Sequence, residues 1–217
     1  MVTTASGDPR LRALVHIDRM GPQYSSYWAL MAQGSLPMPD MSQLLVEVTP
    51  SSLVFPIGDA AFKACAVQSA GIMVERDFGL LELHAQRTDT VLEARDAVLQ
   101  ALGLGVADRQ LPELVSSQRI SALSAYQSHL FNKVRRGAWT QPSDTLYIVE
   151  VAPAAYAYLI ASEIEKATGM ELVRVAGTGL FGRVIVSGTD AQAEVAERIT
   201  NQVIGAVAAE SARKGVS

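Results

Sequence analysis

Gly177, Gly179 and Gly182 stand in GTGLFGR (177–183) with the spacing G-x-G-x-x-G. Between a strand and a helix, that spacing lets helix N-terminal amides cradle a dinucleotide pyrophosphate. ELVRVA (171–176) reads as the strand. The residues that follow, RVIVSG, alternate β-branched side chains with a period near two, the mark of a second strand. The glycines therefore fall in a strand-to-strand turn, and a dinucleotide-dependent enzyme has only a lone pattern in the wrong context behind it. No G-x-S-x-G, H-E-x-x-H or P-loop occurs elsewhere. His16, His84 and His129 lie far apart, with no histidine or carboxylate at i+4, and read as structural or surface residues. With one cysteine, Cys65, they offer no metal-ligand set. Neither catalysis nor a cofactor is expected.

The 217 residues suffice for one large domain or two of about a hundred residues each. Apolar residues make up 49% and charged ones 18%, with mean hydropathy +0.18, so a full core leaves apolar surface over for an oligomer. A net charge of −4 and a pI near 5.4 argue against nucleic acid as a partner. Cys65 cannot form an intrachain disulfide, which fits a reducing cytosol, and reads as a small buried hydrophobe. MVTTASGDPR lacks the basic-then-apolar order of a signal peptide. The most apolar stretch, LYIVEVAPAAYAYLIAS, carries Glu150 and Pro153 and reads as strand, turn and helix rather than a membrane span. A soluble cytoplasmic protein is expected.

The chain repeats itself. LLVEVTP (44–50) matches LYIVEVAP (146–153) at an offset of 103 residues, and the same offset pairs Lys63-Ala64 with Lys166-Ala167, Phe78-Gly79 with Phe181-Gly182, Gly34 with Gly137 and Pro39 with Pro142. Residues 44–84 show nine identities in 41 without a gap. The repeat predicts two copies of one domain, at 8–105 and 111–208, joined by a linker at 106–115 with Pro112 as a stop. The first eight residues and the tail ESARKGVS read as frayed.

Each copy predicts a strand (LRALVHID; less clearly SSQRIS), then a helix at 22–33 or 122–135 closed by Gly34 or Gly137 in a left-handed conformation. The V-E-V strand follows, with Pro50 or Pro153 opening the next helix. That helix puts Leu53, Ile57, Ala61 and Ala64 on one face, and in the second copy Tyr156, Ile160, Ile164 and Ala167. Two strands come next, within 70–84 and 171–187. A final helix starts near Asp89 with Val91, Ala94 and Val98 inward, or near Thr189 with Val195, Ile199 and Val203 inward and a Thr189/Gln192 capping box. The fold class is α+β, a sheet with helices packed on it, once per copy.

The repeat is also a control on the glycine motif. Val74-Glu75-Arg76-Asp77 occupies the positions of Gly177-Thr178-Gly179-Leu180, so only Phe-Gly is common to both loops. A nucleotide cradle would need its glycines in each functional copy. Phe78-Gly79 and Phe181-Gly182 read as loop anchors, an aromatic side chain into the core and then a glycine where the backbone turns. The four positions before them read as a solvent-facing tip.

These elements in this order resemble the bacterial microcompartment shell domain. The resemblance is carried by DAAFKA (59–64), SEIEKA (162–167) and AGTGLFG (176–182) between the strands and helices above, and it covers residues 10 to 208. The strand and helix ahead of each V-E-V look like the circularly permuted, ferredoxin-like form of that domain. Two copies look like tandem shell proteins whose trimers imitate a hexamer, most similar to the double-stacking carboxysome-type trimers. The resemblance implies a homotrimer, two of which stack, in the shell of a microcompartment among other shell proteins. It implies a central pore for small polar metabolites lined by Val74, Glu75, Arg76 and Asp77 alternating with Gly177, Thr178 and Gly179. Glu75 and Arg76 match the pair that gates such pores: a closed state pairs arginines with neighbouring glutamates, and swinging them apart opens a polar hole. Lys63 and Lys166 match residues along the tile edge. Some tandem shell proteins carry an iron–sulfur cluster on a pore cysteine, but neither loop here has one.

Taken without the resemblance, Glu75, Arg76 and Asp77 make an ordinary solvated turn. Lys63 and Lys166 are then snorkelling residues near helix ends. A second reading of the whole chain is a tandem α+β regulator binding a small molecule between its domains, which predicts a discrete dimer or trimer with no tendency to form sheets.

Overall fold

A computed structural model describes residues 10–214. The first copy runs β1 (Arg10–Ile17), α1 (Pro22–Ala29), β2 (Ser42–Thr49), α2 (Val54–Ala64), β3 (Ile72–Glu75), β4 (Phe78–Ala85) and α3 (Thr88–Leu102). The second runs β5 (Glu113–Ile120), α4 (Ala125–Val134), β6 (Thr145–Ala152), α5 (Tyr156–Thr168), β7 (Glu171–Ala176), β8 (Gly182–Gly188) and α6 (Asp190–Lys214). Each copy forms a four-stranded sheet, ordered β1-β2-β4-β3 and β5-β6-β8-β7, with every neighbouring pair antiparallel. The α+β class holds. The register repeats as well: β1 bulges between Leu11 and Ala13, and β5 between Leu114 and Ser116.

The strands form where β-branched and leucine residues must be buried. In β2 all but the last residue are buried, because neighbours cover both edges and helices cover a face. Helices α2 and α3 pack together over the first sheet, with Ile57, Ala61, Val91, Ala94 and Val98 in its core. Helices α5 and α6 do the same in the second copy. The Thr189/Gln192 capping box opens α6: Gln192 N donates to Thr189 Oγ1 at 3.3 Å and Thr189 N to Gln192 Oε1 at 2.9 Å.

Several local expectations need correcting. Helices α1 and α4 are shorter than 22–33 and 122–135. Gly34 and Gly137 close no helix, and among the described residues the glycines with positive φ are Gly103, Gly169 and Gly179. At both positions a Cβ would run into a backbone carbonyl, Ser69 O or Leu172 O, so glycine is required there by close approach. Pro50 precedes a short 3₁₀ turn (Ser51–Leu53) and Pro153 lies ahead of α5, so neither opens a helix. Ala64 and Ala167 are exposed, because each helix is ending and its last turn has left the sheet. In α6 the buried face is Ala193, Ala196, Thr200 and Val207, while Val195, Ile199 and Val203 are half-buried. β5 already starts at Glu113, inside the proposed linker, and α6 runs through 210–214, where a frayed tail was expected. The first eight residues lie outside those described. Cys65, expected to be buried, is half-buried just past α2, its Sγ toward Ala61 O and Thr90 O.

Two of the three histidines are built into the fold. His84 is fully buried, with Nδ1 3.0 Å from Glu82 Oε1, and Glu82 also accepts from Gln43 Nε2 at 2.9 Å and Ala70 N at 2.6 Å. His16 is half-buried on β1, with Nε2 3.0 Å from Ser42 Oγ. Burial, ahead of the opposing pull of Asp18, lowers its pKa below the ordinary 6.5. The unfolded chain therefore takes up this proton first as pH falls, so the stability His16 contributes is present above 6.5 and is lost as pH drops through its folded value. His16→Gln is expected to lessen the loss of melting temperature between pH 7 and pH 5. An unchanged loss would mean that His16 charges as freely folded as unfolded.

Candidate functional site

The two loops singled out by sequence start from equivalent strands and diverge. In the first copy the ladder continues to its last pair, Glu75 with Phe78, which leaves Arg76 and Asp77 to make the turn. Arg76 reaches it with φ +51°, and Glu75, Arg76 and Asp77 are all exposed. Neither side chain, of Glu75 or of Arg76, has a hydrogen bond or ion pair among the described residues. In the second copy the ladder stops at Ala176 with Arg183, and residues 177–181 form an open loop. Gly177 is buried against the ring of Tyr158, which leaves no space for a Cβ. Gly179, at φ +95°, faces Glu75 of the same chain, with a Cβ there only 3.3 Å from Glu75 Oε1. The structure thus brings the two loop tips side by side.

The anchor expectation divides. Gly79 and Gly182 are fixed by close approach, a Cβ at either meeting the backbone oxygen of Ser51 or Ala154. Phe78 is half-buried, and the Arg12 guanidinium lies over its ring at 3.9 Å. Phe181 is not an anchor into this chain's core: 46% of it is exposed, because Val115 stands where the first copy has Arg12.

What places the tips together is a seam between the copies. Helix α1 leaves its own sheet and packs on α5 and β7 of the second copy. Its N-cap, Gly21, has no side chain to offer, and Glu165 of α5 supplies the missing acceptor: Oε1 takes Gln23 N at 2.8 Å and Oε2 takes Tyr24 N at 3.0 Å. A carboxylate there also complements the helix dipole. Gln23 Oε1 accepts from Leu172 N at 2.9 Å, Tyr27 OH donates to Val175 O, and Trp28 packs on Tyr158 with centroids 4.6 Å apart. Tyr158 is fully buried, and that burial holds its phenol well above the ordinary tyrosine range. Nearer the tips, Glu47 accepts from Ala155 N at 2.8 Å and from Arg12 Nε at 2.7 Å. Its burial raises the carboxyl pKa in spite of both donors. Sequence reading gave Glu47 and Glu165 no role, although the V-E-V repeat and a glycine before a helix were the available signals.

The seam is used once within the chain, and its counterparts lie open. The position of Gly21 is taken in the second copy by Ser124, whose Oγ accepts from Gln127 N at 3.2 Å, so α4 caps itself. Tyr126, Leu130 and Val134 on α4 are exposed, where the first copy has Gln23 and Tyr27 of α1, and Met31 just past it, at the corresponding positions on the seam. In the receiving copy Glu165 is matched by Phe62, Tyr158 by Phe55 and Gly177 by Val74. Phe55 is 57% exposed where Tyr158 is 2%. One chain therefore carries an uncovered apolar helix at one end and an uncovered apolar face at the other.

Lys63 and Lys166 are exposed in the last turns of α2 and α5, each held by a carboxylate of its own helix, Asp59 at 2.6 Å and Glu163 at 2.8 Å. Among the described residues no group of His, Cys, Asp and Glu could hold a metal, and no helix is long and apolar enough to cross a membrane.

Residues 11–108 match the family described as the CsoS1D N-terminal domain. The chain is 40% identical over 180 residues to carboxysome shell protein CcmP of Synechococcus elongatus, covering 83% of this chain and 84% of that one. It is 33% identical to carboxysome shell protein CsoS1D of Hydrogenovibrio crunogenus, over 89% and 95% of the two chains. Among solved structures, the fused permuted hexameric shell protein MSM0275 of the RMM microcompartment superposes with TM-score 0.88 at 34% identity, covering 91% of this chain and 98% of that one. The double ringed trimeric shell protein MSM0271 of the same compartment gives 0.87 at 28% identity, with coverage of 91% and 97%.

Proposed function

Because this chain belongs to the CsoS1D-type family of carboxysome shell proteins, we propose that it is a structural tile of a microcompartment shell, with no catalytic role. Three copies close into a pseudohexameric ring around a gated pore. The observation that carries this reading is the pair of open faces. Docking α4 of one chain on the Phe55, Phe62 and Val74 face of the next repeats the seam already made within each chain. Such a contact is heterologous, so it must either close into a ring or run on as a filament. Closure at three copies gives six domains and six loops, with Val74–Asp77 tips alternating with Gly177–Gly179 loops around the axis.

At that axis Arg76 and Glu75, unpartnered in the single chain, find partners in one another across neighbouring copies. Paired, they close the pore with charge-assisted hydrogen bonds, and apart they leave a polar opening for small polar metabolites. Two rings stack face to face, and Lys63 and Lys166 meet other shell proteins along equivalent tile edges. The relatives named as shell proteins, and the double ringed trimer among the structural neighbours, support this assembly.

The test is the native mass of the full chain. A chain of 23.2 kDa is expected at about 70 kDa as one ring and about 139 kDa as a stacked pair. A monomer at micromolar concentration would remove the ring, the pore and the gate together.

A further inference from the structure

Phe78 and Phe181 occupy the same position in the two copies but differ in what covers the ring. Over Phe78 sits Arg12, and a narrow cleft is lined by Phe78 and Glu47 of this copy and by Gly177, Thr178 and Gly179 of the other. Over Phe181 no cation lies among the described residues. Val115 replaces Arg12, and Arg183 serves Glu150 instead, its Nε at 2.8 Å. One ring position thus holds a guanidinium, and its twin is left 46% exposed.

The repeat says what comes to the open ring. Within a chain the cleft joins Phe78 to Gly177–Gly179, and moving both sides by the offset of 103 residues joins the partner's Phe181 to Val74, Glu75 and Arg76. The contact between Glu75 and Gly179 transforms in the same way, into one between the partner's Thr178 and Arg76. We infer that Phe181 of the partner subunit is a positioning residue for the gate, a seat on which the Arg76 guanidinium rests when it is not paired with Glu75. The inference rests on the ring proposed above. The seat lies at the foot of its loop, since Phe181 comes just before β8 opens at Gly182, while Arg76 forms the tip of its hairpin. Moving between tip and seat therefore carries the charge off the pore axis. A guanidinium within about 6 Å of an aromatic centroid is held by the ring quadrupole, which aliphatic side chains lack.

Single-particle imaging of the full-length wild type, Phe181→Leu and Phe181→Tyr tests this, with native masses taken on the same samples. The wild type is expected to show a class of particles with Arg76 over the partner's Phe181. Phe181→Leu should keep the ring mass and lower the ratio of seated to axial Arg76 about three- to tenfold, and Phe181→Tyr should restore it. An unchanged ratio in an intact Phe181→Leu ring overturns the inference while leaving the ring standing. So does a wild-type map with no class seating Arg76 on that ring, whatever the variants do. A wild-type monomer overturns both ring and inference, and the mass tells the cases apart.

Discussion

Leu130→Asp and Phe55→Asp, made separately, are each expected to leave a folded chain of 23.2 kDa in place of the proposed ring of about 70 kDa. Both side chains are exposed in the single chain, so neither change disturbs a core, and far-ultraviolet circular dichroism should not move. Across the seam each would bury a carboxylate against apolar residues with no partner, at a cost of about 3–5 kcal/mol for every contact. Mixing the two variants makes the sharper test. The Phe55→Asp chain keeps a sound α4, the Leu130→Asp chain keeps a sound receiving face, and these two fit each other. The remaining pair of faces is spoiled on both sides, so growth stops at two chains and about 46 kDa. A mixture that stays monomeric, or single variants that keep the ring mass, would show that α4 and the Phe55 face do not meet.

The second large effect concerns a single methyl group. Gly137→Ala is expected to cost about 3 kcal/mol or more, a fall of roughly 6–12 °C in melting temperature for a chain of this size. The added Cβ would overlap the carbonyl oxygen of Leu172, and that peptide cannot retreat, because Ala138 N donates to it at 2.9 Å while Gly137 N donates to Val173 O at 2.9 Å. Gly205→Ala is the internal contrast. It lies within α6 with no atom within 4 Å of its Cβ position, so alanine there should stabilise by up to about 1 kcal/mol. A Gly137→Ala protein melting within about 2 °C of wild type would show that the loop gives way freely.

Gly137 also marks where sequence reading reached its limit. The offset of 103 residues, the alternation in RVIVSG and the periodicity of Val91, Ala94 and Val98 are local signals, and the sheets and helices they imply are present. A glycine shortly after a helix has two local explanations, a left-handed cap or a close approach. Only the tertiary path of β7 beneath Gly137 decides between them. The same holds for Val195, Ile199 and Val203: a helix more apolar than its core needs does not announce which face turns inward. The loop tips were legible as a pair because the repeat aligned them. Glu47, Glu165 and Tyr158 were not, since each copy read alone gives strand and helix patterns that say nothing of the other copy. The usable signal was a mismatch between aligned positions, glycine against serine at 21 and 124, glutamate against phenylalanine at 165 and 62.

That mismatch bears on inheritance. Gly21 brings no acceptor of its own to the first amides of α1 and Glu165 supplies it, while Glu165 sits between Gln23 N and Tyr24 N only while nothing larger than glycine occupies position 21: a Cβ there would strike the Glu165 carboxylate. A substitution at either position therefore changes the fitness of the other, although the two lie in different repeats and 144 residues apart. The duplicated halves of the gene are not free to drift as separate copies. A conversion event that made them identical again, replacing Gly21 by serine or Glu165 by phenylalanine, would restore the symmetry of the sequence and break the junction inside the chain.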